Sequence, residues 1–527
     1  MPEYLAPGVY VEEIERGPKP IEGVATSTAA FLGETERGPT KPRLVTSYGE
    51  YLRLFGTVFG DGRYVPHAVK AFFDNGGRRL YIARVSGAFA SGDGFATRTT
   101  AGQFELRALG PGAAYNRVWA RVDQGTTKVK GTSGGDQKPI GFRLRLAYWD
   151  RNPPEGSDLF DPFDSKNDKT LPRPAMIEDF DDISLDPASP SYWDKRINND
   201  NSSLVTITVP AGVKADALST DSGILAGGAD GGTPAAKDYE GTGGGTVTDP
   251  NLLTGLAALA LDLYRGVAIV AAPGRDDKEV AVAVITHCER NRFRFAVLDS
   301  PPDHADSSTL DPRSDIEDTK YAAFYYPWIV TSDPRNGGRI AVPPSGAVCG
   351  IYALTDNTRG VWKAPANETV AGALDLKYDV TQGAQEVLNP KGVNCIRRFP
   401  GRGIRVWGAR TLSSDPLWKY VNVRRLFIFL EASIYYSTQW VVFEPNDQKL
   451  WARVKQTLTL FLRSQWREGA LFGEKEEEAF TVAVGRETMT EDDILNGRLI
   501  VEIGIAPVRP AEFVVFRIYQ KTSEAKE

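Results

Sequence analysis

Three histidines, three cysteines and one dense run of arginines carry most of the chemical reach of this sequence. A serine nucleophile needs a histidine base and a carboxylate to orient it. Only His67, His287 and His304 are available as bases. The nearest grouping is Asp299-Ser300 with Asp303-His304, in a proline-rich stretch after an apolar run, and it reads as a surface turn. No HExxH helix or CxxC pair occurs. Cys288, Cys349 and Cys395 lie far apart, which fits three buried thiols in a reducing compartment better than a disulfide framework. The glycine runs GGADGG and GTGGGT lack both the GxxxxGK[ST] phosphate pattern and a preceding strand, so they read as flexible connections. The residues therefore predict no catalytic site, no cofactor and no metal.

The arginine run is RRFPGRGIRVWGAR, placing Arg397, Arg398, Arg402, Arg405 and Arg410 together without an acid. Arg424 and Arg425 follow, and a later helical stretch carries Lys449, Arg453, Lys455, Arg463 and Arg467. Three readings are open: a solvated face, a surface for an acidic protein partner, or a nucleic-acid patch. The whole chain carries a formal charge of -6, so its global charge gives no support to nucleic acid.

The elements that must position these groups fall into blocks. Residues 1–24 read as an extended arm: in PGVYVEEI, Val9 and Val11 share one face of a strand and Tyr10 the other. Residues 25–95 begin a core, with a buried strand in STAAFLG, a capped helix from Ser47 to Phe55, a helix from His67 to Asn75, and a strand in RRLYIARV. Residues 96–250 alternate short strands (104–108, 118–122, 142–149, 204–209) with long polar connections, the texture of an inserted β-rich domain on the outside. Residues 251–395 alternate helices (NLLTGLAALALDLY, DDKEVAVAVITHCERN) with apolar strands (GVAIVAAPG, RFRFAVLDSP, AAFYYPWIVTS), which predicts a parallel sheet covered on both faces. Residues 396–527 predict an α+β domain. It has two long helices spanning VRRLFIFLEASIYYSTQWVVFEPND and DQKLWARVKQTLTLFLRSQWREG, a strand in AFTVAVGRET, a short helix capped by Thr490, and the alternating RLIVEIGIAPV. Last comes EFVVFRIYQK, where Phe513, Val514, Val515, Phe516 and Ile518 put apolar side chains on both faces.

Composition agrees with a folded α/β protein: 41% of residues are hydrophobic and 25% charged, with 52 glycines and 34 prolines to make turns. The opening MPEYLAPGVYVEEIERG has neither the basic nor the apolar region of a secretory signal, so synthesis and folding in the cytoplasm are expected. The longest near-apolar stretch, residues 252–264, contains Asp262 and is too short for the roughly 20 residues that span a bilayer, so no membrane insertion is expected.

Four phrases resemble contractile phage tail sheath proteins: PGVYVEEI, VPPSGAVCGIYALTDNTRGVWKAPAN (342–367), RTLSSDPLWKYVNVRRLFIFLEASI (410–434) and APVRPAEFVVFRI (506–518). The resemblance implies a structural subunit and no enzyme, with a core that has been compared with subtilisin-like α/β folds. It also implies six-membered rings of identical subunits stacked helically around an inner tube protein, bounded by baseplate and tail terminator proteins. Contraction would drive the tube through a target envelope, in a phage tail or phage-tail-like particle. The implied connectors are strands donated between subunits, Val9 to Val11 at one end and Phe513 to Ile518 at the other. The basic residues Lys449, Arg453, Lys455, Arg463 and Arg467 would face the tube. Two rival readings are another self-assembling tail or shell component and a subtilisin-like serine protease.

Overall fold

The computed structural model describes residues 20–100, 104–130, 137–150, 161–164, 173–198, 201–242 and 252–518. The chain forms two units, one of residues 25–424 and one joining residues 1–24 to 425–527.

The larger unit is built on a nine-stranded sheet whose six inner strands are parallel. In order these are Val393–Phe399, Ala322–Tyr326, Phe295–Asp299, Ile269–Ala271, Ala29–Gly33 and Leu80–Arg84. All residues of Ala29–Gly33, Phe295–Asp299 and Ala322–Tyr326 are buried, as expected for strands covered on both faces. Ala30 and Leu32 pack with Val280, Val284 and Ile285 of the helix Lys278–Asn291. Phe31 points the other way, onto Phe72 of the helix Val65–Asp74, with ring centroids 5.7 Å apart. Short antiparallel strands close the two edges: Arg43–Val45 on one side, Gly403–Val406 and Glu368–Thr369 on the other. This unit thus mixes α and β structure, with helices on both faces of the parallel strands.

Within the same unit, residues between 95 and 224 include two larger antiparallel sheets around their own core, besides the small pair Lys128–Lys130 and Gln137–Pro139. One joins Met176–Ile183, Phe142–Tyr148, Val118–Gln124 and Asp221–Ile224; the other joins Val205–Thr208, Phe104–Pro111 and Phe95–Thr100. Phe104 and Phe142 meet across them at 4.9 Å, amid Leu106, Val122, Leu144 and Ile207. Three of these strands were not legible. Phe95–Thr100 is threonine-rich, Met176–Ile183 carries four acids, and Asp221–Ile224 is four residues long, so none shows a hydrophobic period.

Several expectations need correction. NLLTGLAALALDLY holds only a five-residue helix, Gly255–Leu259, and a 3-10 turn, Asp262–Tyr264. AAFYYPWIVTS is two strands, because Pro327 has no N–H to offer a ladder; after it, Ile329–Ser332 joins a separate sheet with Arg339–Val342 and Asp375–Leu376. The expected boundary at 395/396 falls inside the strand Val393–Phe399. The helix in VRRLFIFLEASIYYSTQWVVFEPND is Val421–Ser437; a 3-10 turn, Gln439–Val441, follows it, and Phe443 then adopts φ 67°. Among the described residues, no helix is long and apolar enough to cross a membrane.

Candidate assembly interface

The groups singled out for catalysis do not come together. Asp299, at the end of its strand, is buried and accepts hydrogen bonds from Ser345 N–H and Oγ, each at 2.7 Å, and from Gly274 N–H at 3.0 Å. Burial pushes its carboxyl up to about 6 despite those donors. Among the described residues Ser300 Oγ is buried without a partner, while half-buried His304 shares a hydrogen bond between Nε2 and Thr309 Oγ1 at 2.8 Å. His287 Nε2 is 2.5 Å from the Arg294 guanidinium; burial, with that cation beside it, lowers the ring to about 3 and leaves it neutral. His67 is also lowered by burial. Cys288, Cys349 and Cys395 are buried thiols, and burial raises Cys288 and Cys395 to about 12.

The arginine run is spent on the fold. Arg397 donates to Val380 O and Gln385 Oε1, and Arg398 pairs with Asp375. Arg402 and Arg405 both reach Asn367, at 2.8 and 2.7 Å. Arg410 is buried and donates to Asn389 O at 2.9 Å. Sequence could not foresee this, because each of these acceptors lies on another helix, strand or loop.

In the smaller unit, the helix Gln448–Arg467 is capped by Asp447, whose Oδ1 accepts from Leu450 N–H at 2.8 Å. Its buried face is Leu450, Val454, Leu458, Phe461, Leu462 and Gln465, the repeat of an amphipathic helix. The cationic residues occupy the rest of the surface in two kinds of environment. Arg453 pairs with Glu444 at 2.7 Å, Arg463 forks onto both oxygens of Glu476 at 2.7 and 2.9 Å, and Lys455 lies 3.9 Å from Glu487. The Arg463 guanidinium holds the Glu476 carboxyl below its ordinary range. Lys449 and Arg467 stand exposed.

This helix packs on the strand Phe480–Val484, which pairs with Val501–Ile505 in a two-stranded sheet. Between them Thr490 caps the helix Glu491–Leu495, as its sequence predicts. The alternation in RLIVEIGIAPV predicts one buried face, but Val501 and Ile505 are only half-buried and Ile503 is exposed. A two-stranded ribbon has too little partner surface to cover itself.

Beyond it, Ala506 N–H donates to Ala479 O at 2.9 Å, Pro507 bridges Leu471 and Val508 N–H reaches Ala470 O at 3.4 Å; Pro510 then has no N–H to offer. Phe513, Val514, Val515, Phe516 and Ile518 then stand 72, 68, 77, 83 and 95% exposed, in no strand among the described residues. The expected covered strand is not formed here, and its apolar side chains are uncovered. The other expected connector, Val9, Tyr10 and Val11, lies outside the described residues. The residues that receive its root, Ser433 and Ser437, were not singled out; two small hydroxyls four apart in the bulky text FLEASIYYS were the available signal.

Residues 245–412 match the family model for the central domain of phage tail sheath proteins, and residues 413–521 the model for their C-terminal domain. A putative prophage major tail sheath protein of Pseudomonas aeruginosa (strain UCBPP-PA14) is 25% identical over 296 residues, 54% of this chain and 73% of its own. The tail sheath protein of Escherichia phage P2 is 25% identical over 282 residues, covering 52 and 69% respectively. The fold is similar to that of the contracted sheath of the extracellular contractile injection system PVC, with TM-score 0.57 and 24% identity over 99% of this chain and 100% of the other. The contracted helical sheath of the anti-feeding prophage gives TM-score 0.57 and 24% identity, over 98 and 99% of the two chains.

Proposed function

The chain belongs to the phage tail sheath family, and we propose that it acts by stacking in hexameric rings around an inner tube. Rings are joined by strands that each subunit donates to its neighbours. Contraction of the sheath then drives the tube through a target envelope, with a baseplate at one end and a terminator at the other. The observation that carries this reading is the segment from Phe513 to Ile518. Five large apolar side chains stand at least 68% exposed. The same unit holds a two-stranded sheet short of partners. Strand addition satisfies both, since the donated main chain extends the ladder and alternate side chains enter the neighbour's surface. One such contact supplies only a few kcal/mol, at about 0.5–1.5 kcal/mol per hydrogen bond. Repeated head to tail it propagates through an assembly without closing.

Assembly occurs in the bacterial cytoplasm in this reading, with the β-rich segment between 95 and 224 on the outer surface. Electron microscopy of the purified protein, alone and with its tube partner, provides the test. Tubes with a six-fold end view are expected. A monomer that stays inert at high concentration and with tube present would refute the proposal.

A further inference from the structure

We propose that Ser433 and Ser437 are positioning residues, a latch that sets where the N-terminal arm departs from the C-terminal module. The inference rests on the sheath reading above and deepens it. Val24 N–H donates to Ser433 Oγ at 3.1 Å, and Glu22 N–H to Ser437 Oγ at 3.3 Å. The two serines are one turn apart on the helix Val421–Ser437, in its part that belongs to the smaller unit.

The spacing has a geometric basis. Four helical residues rise about 6 Å, and two extended residues cover about 6.6 Å. Alternate N–H groups of an extended chain, pointing to one side, therefore meet hydroxyls four apart on a helix. The segment runs opposite to the helix, with position 22 at Ser437 and position 24 at Ser433.

Side chains lock the crossing. Ser433 is fully buried and also donates to Phe429 O at 2.7 Å, so its hydroxyl serves in both directions. Gly23 lies against the Phe429 ring, where a Cβ would come within 3.1 Å of Cε2 and Cζ. Ile21 is buried beside it in sequence, at 9% exposure. The root of the arm is thus held by residues more than 400 positions away, in the unit that also bears the segment from Phe513 to Ile518. Both connectors start from one body, so a movement of that body carries them together.

The test compares full-length wild type with Ser433→Ala/Ser437→Ala and, separately, Gly23→Ala. Three quantities are measured: amide exchange at Glu22 and Val24, thermal unfolding, and the protein concentration at which tubes form. Loss of either side of the latch is expected to speed exchange at these amides about tenfold or more, with the unfolding temperature retained, and to raise the tube-forming concentration about tenfold. Ser437→Thr keeps the acceptor and is expected to assemble as wild type. Gly23→Ala disturbs the crossing from the arm's side and provides the result should the double serine variant unfold. Unchanged exchange, or accelerated exchange with an unchanged tube-forming concentration, overturns the latch. A wild-type protein that forms no tubes overturns the sheath reading instead.

Discussion

Asp299 and Ser345 are joined twice: the Ser345 N–H and Oγ each donate to one carboxylate oxygen at 2.7 Å, at the start of the helix Ser345–Arg359. The pair ties the end of a central strand to the first turn of a helix packed against the sheet. Burial opposes the charge more than these donors support it, so the folded carboxyl lies at about 6 against an ordinary 3.8.

A pH dependence follows from that pair. Between these two values the native state holds a proton that the unfolded chain has lost, so this group's contribution to stability falls as pH rises. It is fully present below about 3.8 and lost above about 6. At about 1.4 kcal/mol per pH unit the difference is on the order of 3 kcal/mol. Denaturant unfolding of wild type and Asp299→Asn across pH 4–7 is expected to show the decline only in wild type. Parallel curves would mean that Asp299 titrates normally.

Close packing of two helices supplies a second prediction. An ideal Cβ at Gly346 would lie 2.5 Å from Ala68 Cα, and one at Gly350 2.5 Å from Phe72 O. Both obstacles are main chain, so the helices must separate to admit a methyl. Gly346→Ala is expected to cost roughly 1–3 kcal/mol in equilibrium unfolding. A stability equal to wild type would contradict this packing.

Glu36 links the β-rich segment to the parallel sheet's loops. Its Oε1 accepts from Arg117 at 2.5 Å and its Oε2 from Thr57 N–H at 2.8 Å, with side-chain exposures of 8% for Glu36 and 17% for Arg117. Removing one partner leaves a mostly buried charge unpaired. Glu36→Ala is expected to lower stability by roughly 3 kcal/mol, while Glu36→Ala/Arg117→Met should recover part of it. A double variant no better than the single one would argue against the pairing.

The two environments on the helix Gln448–Arg467 separate structural from partner effects. Lys449→Glu/Arg467→Glu is expected to leave unfolding unchanged and weaken co-assembly with the tube, most strongly at low salt. Arg463→Glu should instead disturb the unit locally by repelling Glu476. Wild-type co-assembly by the exposed-pair variant would remove this helix from the tube interface.

What the sequence determined by itself is what local pattern encodes. The apolar runs of Ala29–Gly33 and Phe295–Asp299, the caps at Ser47 and Thr490, and the amphipathic repeat of Gln448–Arg467 are properties of a few adjacent residues. The apolar run from Phe513 to Ile518 was visible too, but the expected strand is not formed among the described residues and its side chains stand uncovered. Tertiary structure decided the rest, because hydrogen bonds and ion pairs depend on which distant groups arrive. It spent the arginines from Arg397 to Arg410 on the folded chain's own carbonyls and carboxylates, and it kept Asp299, Ser300 and His304 from forming a triad. It also brought Glu22 and Val24 to hydroxyls more than 400 residues away. No local periodicity records such a meeting, since an extended chain can lie along any helix whose surface offers acceptors at the right rise.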